Sequence, residues 1–69
     1  MIKVTSMTLT SQDEKLYKVA LFTDTKEEVS TATEIIGFPD DCIMDMGSTV
    51  ITASGELAFM KSDGSWNWV

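Results

Sequence analysis

Three glycines divide the last third of the chain. Gly47, Gly55 and Gly64 stand eight and nine residues apart, with the apolar runs "STVITA", "LAFMK" and "WNWV" between and after them. Regular turn signals at this spacing, separated by short runs of apolar and β-branched residues, predict a β-meander. Ser54-Gly55 and Ser62-Asp63-Gly64-Ser65 mark its turns. Tight hairpin connections need a positive φ, which glycine adopts without a steric penalty.

A register follows if the loops are the two-residue kind, Ser54-Gly55 and Asp63-Gly64. Val50 then lies opposite Phe59, Phe59 opposite Trp68, Thr52 opposite Leu57 and Lys61 opposite Trp66. Residues paired across strands share a face, so one face carries Val50, Leu57, Phe59, Trp66 and Trp68. An aromatic ladder would account for two indoles in positions that otherwise fray. The other face carries Ile51, Ala58, Met60 and Val69, relieved by Thr49, Glu56 and Asn67. That is less polar than the wet side of an antiparallel sheet. Contiguous apolar patches mark interaction sites, so Ile51, Ala58, Met60 and Val69 are the candidate protein-interface residues.

The first third predicts a second hairpin. "IKVTSMTLT" alternates loosely, "KLYKVALFT" alternates around Tyr17, Val19 and Leu21, and "SQDE" between them is a polar loop. This hairpin is expected to cover the aromatic face of the meander. The middle, "DTKEEVSTATEIIGFPDD", is ambiguous. Thr25 and Glu28 have the form of a capping box, and Val29, Ala32, Ile35 and Ile36 lie near helical spacing. Yet "VSTAT" is poor helix material, because its residues are β-branched or compete for backbone hydrogen bonds. One helical turn or an extended crossing is expected between 25 and 36, followed by a turn from Gly37 to Asp41 imposed by Pro39. The expected fold is therefore mostly β, a single small domain over residues 1–69: an N-terminal hairpin plus a C-terminal three-stranded meander.

With 69 residues the chain lies near the lower limit for a self-sufficient core. Such scaffolds tend to use a disulfide, a metal or a neighbouring subunit. Cys42 is the only cysteine, which excludes a disulfide within the chain. With no His and one Cys, the usual structural zinc sets are excluded as well. Oligomerisation remains the readiest support. Five Lys against 11 Asp plus Glu give a net charge of −6. That argues against a nucleic-acid partner, where clustered cations supply most of the affinity, and against an anionic membrane surface. No run is long enough to span a bilayer, and "MIKVTSMTLT" lacks the pattern of a signal peptide.

Catalytic chemistry is hard to place. The commonest general base is missing, and with it the Ser-His-Asp arrangement. Cys42 has no His to activate it and reads as a small buried or half-buried hydrophobe. "GST" at Gly47 to Thr49 lacks the Lys and second Gly of a phosphate loop. Asp40, Asp41 and Asp45 lack the spacing of a calcium loop and read as a solvated turn. Asp24, Glu27 and Glu28 suit the start of a helix. Five Met read as gap-filling core residues, and Trp66 and Trp68 as core in preference to a sugar-stacking platform. No catalytic residue, metal or cofactor is expected.

From Tyr17 onward the chain resembles a group of very small proteins encoded in phages and prophages of Gram-positive bacteria. The resembling stretches are "LYKVALFTDTKEEV" and "EIIGFPDDCIMDMGSTVITASGELAFMKSDGSWNWV". In that group an alternating strand leads to an acidic "D-T-K-x-E-V" stretch. A "G-[aromatic or Leu]-P-D" turn, a "G-S" strand start, a Gly hairpin and a closing "D-G-x-W" follow. The resemblance implies a non-enzymatic structural or assembly protein of the virion, associated with the head or the head-tail attachment. Its expected partners are itself, a larger virion protein, or both; its expected location is the virion, and the host cytoplasm during assembly. The alternative is a small acidic phage regulator that binds and inhibits a host protein, for example by mimicking nucleic acid. A mimic should gather its acidic groups on one surface. Here they fall mainly in loops, at Asp13-Glu14, Glu27-Glu28, Asp40-Asp41 and Asp63, which favours the structural reading.

Overall fold

The computed structural model describes residues 1–31 and 34–69. The chain is mostly β. Its elements are β1 (Ile2–Ser11), β2 (Leu16–Thr23), the short helix α1 (Glu28–Thr31), β3 (Ile35–Ile36), β4 (Ile43–Met44), β5 (Thr49–Thr52), β6 (Leu57–Met60) and β7 (Trp66–Trp68). They form a seven-stranded mixed sheet in the order β3-β1-β2-β5-β6-β7, with β4 also paired to β2. Both expected hairpin regions are present: β1 and β2 are antiparallel, and β5, β6 and β7 make the meander. In the middle segment Glu28–Thr31 is helical, with Thr25 Oγ1 donating to Glu28 Oε1 at 3.4 Å just ahead of it, whereas Ile35 and Ile36, also near helical spacing, form strand β3. Ala32, one of the positions at helical spacing, lies outside the described residues.

The hairpin does not lie across the meander as a second layer. Instead β2 pairs edge to edge with β5, in parallel, Ala20 to Thr23 against Thr49 to Thr52. Joining the edges satisfies a row of backbone N–H and C=O groups on both strands that stacking would have left open. Parallel neighbours need a long crossover, and residues 24–48 supply it. That crossover provides the cover expected of the hairpin: Val29, Ile35, Phe38 and Met44 pack onto the buried cluster of Ile2, Val19, Leu21, Val50 and Ala58.

Two bulges explain the loose alternation of β1. Val4 pairs with Leu21 and Ser6 with Ala20, so Thr5 is an extra residue. Its hydroxyl donates to the Ala20 carbonyl at 2.9 Å. A second shift occurs between Leu9 and Ser11, where Thr10 Oγ1 lies 3.0 Å from the Leu16 carbonyl and 2.8 Å from Asp45 Oδ2. The bulge at Thr5 resets the phase, so that Ile2 and Val4 before it and Met7 after it all reach the covered face.

The register of the meander corrects the expectation. Both loops have three residues, Ala53 to Gly55 and Ser62 to Gly64. Thr52 N–H donates to the Glu56 carbonyl, Gly55 N–H to Thr52, Lys61 N–H to Ser65 and Gly64 N–H to Lys61. This is a β-turn closed by glycine at positive φ, 91° at Gly55 and 87° at Gly64. Val50 therefore faces Ala58, not Phe59, and Ala58 faces Trp68. Each hairpin is displaced by one residue, and the two displacements cancel across the meander. Trp66 and Trp68 stay on the Val50 side as expected, while the middle strand turns over: Ala58 and Met60 face in, Leu57 and Phe59 face out.

Where β4 gives way to β5 along β2, Ser48 closes the seam. Its buried hydroxyl accepts from Val19 N–H at 3.0 Å and donates to the Asp45 carbonyl at 2.8 Å. A buried N–H would otherwise lack a partner at this splice.

Candidate functional site

Among the described residues, those of the crossover that meet the core do so on one face of the sheet, and the other face is open. The pairing places Lys3, Phe22, Ile51 and Leu57 in one row across it, with Ile36 beside Lys3. Val69 extends the row, its N–H donating to the Leu57 carbonyl at 2.9 Å. The next row is Ser6, Ala20, Thr49, Phe59 and Asn67. Ile36, Ile51 and Phe59 are 47%, 45% and 42% exposed. They stand there because period-two alternation must send something outward when Val50 and Ala58 point in.

The charge on this face differs from that of the molecule. Among the described residues no strand contains Asp or Glu, whereas Lys3 and Lys18 project on the open face and Lys61 follows β6 with the same phase. The Lys3 ammonium lies 5.7 Å from the Phe22 ring centroid. Seven of the 11 acidic residues lie between Asp24 and Asp45, on the crossover. An acidic chain thus presents an apolar sheet face dotted with lysines.

The four expected interface residues do not share a surface. Ile51 lies on the open face and Val69 is 86% exposed at its margin. Ala58 is fully buried and Met60 half-buried on the covered side, where Met60 N–H donates to the Ser48 carbonyl at 2.8 Å. Phe22, Leu57 and Phe59 take their places. A signal for this existed at Ser54: a type I′ turn needs positive φ at both central residues, and serine is a poor choice for the first. Asp63-Gly64 carries no such signal, since it suits either loop.

Trp66 and Trp68 pack half-buried against the core on the covered side. A groove of ≈ 460 Å³ lies between them and the start of the crossover, lined also by Lys26, Val29 and Ser65. Lys26 Nζ sits 4.9 Å above the Trp68 ring. The acidic turn residues take separate partners. Asp41 binds Lys15 Nζ at 2.6 Å, which lowers its carboxyl and raises the lysine, while Asp45 accepts from Thr10 and from Met46 N–H. Among the described residues no group of three His, Cys, Asp or Glu is placed to hold a metal ion. Cys42 is half-buried, and partial burial followed by the adjacent Asp41 charge pushes its thiol up, away from nucleophilic use. Among the described residues no helix is long and apolar enough to cross a membrane. Comparison with protein-family models, curated proteins and solved structures finds no match to the chain.

Proposed function

We propose that the chain is a non-enzymatic structural or assembly protein of a phage or prophage particle, docked through its open sheet face onto a larger virion protein of the head or head-tail region. The observation that carries the docking surface is the uncovered row of Phe22, Ile51 and Leu57 with Phe59 beside it. A face this apolar is a candidate for burial against another chain, and Lys3, Lys18 and Lys61 around it suit an acidic rim on the partner. The assignment to a virion rests on the resemblance of the segment from Tyr17 onward. In this role the protein resides in the host cytoplasm before assembly and in the particle afterwards.

The test uses particles purified from a producing host. Wild-type protein is expected in them at fixed stoichiometry, and Ile51→Glu with Phe59→Glu should remove it while the soluble pool stays folded. Absence of the wild-type protein from purified particles would refute the reading. One observation favours a second reading, the acidic regulator. Seven of the 11 acidic residues fall in the one segment from Asp24 to Asp45, a concentration that a nucleic-acid mimic would use. Competition with DNA for a basic host protein, lost on neutralising Glu27 and Asp40, would support that alternative.

A further inference from the structure

The sheet ends at β7, and no described strand lies beyond it. The hydrogen bonds of the meander show which backbone groups are left. Lys61 N–H bonds Ser65 and Val69 N–H bonds Leu57, so Ser65, Asn67 and Val69 direct their backbone groups toward β6. By antiparallel alternation Trp66 and Trp68 direct theirs outward, where a further strand would lie. The other long edge is guarded: beyond Lys3 the outer side of β1 carries two bulges and a run of Ser and Thr. Strand β7 is only three residues long, but it has no bulge, proline or charged side chain of its own, the other common defences of an exposed edge.

We propose that β7 pairs with β7 of a second copy, antiparallel, about a twofold axis through Asn67. The sequence Trp66-Asn67-Trp68 reads the same in both directions, which makes the edge self-complementary. In this register Trp66 lies opposite the partner's Trp68, and each pair exchanges two backbone hydrogen bonds. A twofold at Trp66 would instead bring Trp68 against the partner's Gly64, whose N–H is already committed to Lys61. The indoles of both copies then meet on the covered side, next to the groove under Lys26. Asn67 meets the partner's Asn67 on the open side, where two amides can bond each other. The contact is isologous and closed. It continues the open face across both copies and stands independently of any role in a virion.

The geometry makes a sharp test. Asn67 and the partner's Asn67 form a non-hydrogen-bonded pair, with Cα atoms about 4.5 Å apart, within the range a disulfide spans. In a Cys42→Ser background, Asn67→Cys is expected to form a disulfide-linked dimer under mild oxidation at least tenfold faster than Ser62→Cys. Wild-type protein should sediment as a concentration-dependent dimer. Asn67→Lys, which sets like charges face to face at an exposed site, should sediment as a monomer with its melting temperature nearly unchanged. A wild type that stays monomeric at millimolar concentration, with no preferential Asn67→Cys linkage, would overturn the proposal. So would a dimer that persists in Asn67→Lys and dissociates in Phe59→Glu, because the open face would then be the contact.

Discussion

Leu21 and Phe22 are neighbours on one strand and meet opposite environments. Leu21 is 3% exposed beneath the crossover, whereas Phe22 lies on the open face with the Lys3 ammonium above it. The same contrast runs through β5 and β6, where Val50 and Ala58 are fully buried while Ile51 and Phe59 are exposed. On β6 the smaller residue is the one inside. Hydrophobic size therefore does not decide which side becomes core. The connection does: Val29, Ile35, Phe38 and Met44 of the crossover pack over one face, and on that side Ala58 is fully buried opposite Trp68.

The contrast can be broken most strongly at its buried side. Leu21→Ala should cost about 2–5 kcal/mol, as large-to-small changes in a core do, while Ile51→Ala should cost about 1 kcal/mol or less because half its surface is already wet. Equal losses in thermal or urea melts would mean that the open face is covered in the monomer. Ser48→Ala addresses the seam between the two halves of the sheet. It strands the buried Val19 N–H, so about 1–3 kcal/mol should be lost despite the small change in volume. A neutral result would show that another group reaches Val19.

The register itself is tested by exchanging sizes on β6. Ala58→Leu should destabilise by about 1–3 kcal/mol through overpacking against Trp68, and Phe59→Thr should change stability by less than about 1 kcal/mol. Reversal of that order would restore the two-residue loops. The smallest effect concerns acid. The Ser65 hydroxyl, followed by its backbone N–H, holds the Asp63 carboxyl below its ordinary value. The unfolded chain then binds the proton more readily, so this contribution is present above the ordinary carboxylate range and lost as pH falls through the lowered value. Asp63→Asn should slightly flatten the acid side of a stability-pH profile, and an unchanged slope would show that the loop hydrogen bonds do not persist in solution.

Local chemistry in the sequence determined the mostly β character and the two hairpin regions, which depend on residues close in the chain: glycines at turns and alternation in β2. It left residues 25–36 open between a helical turn and an extended crossing, and gave no sign of β3 and β4. It also placed Trp66 and Trp68 with Val50, though by a route in which two one-residue shifts cancelled. Only the tertiary structure settled which face of β6 is buried, because loops of two and of three residues invert the strand between them, Asp63-Gly64 suits either, and Ser54 gave just a weak preference for the longer one. The candidate interface inherited that inversion: Ile51 and Val69 were legible, Ala58 and Met60 were not, and Phe22 was invisible without its partner strand. The joining of β2 to β5 was beyond local reading altogether. A parallel pair closed by a long crossover leaves no turn signal, and its register is set by Ser48 and by the packing of Val29, Ile35, Phe38 and Met44 over the sheet.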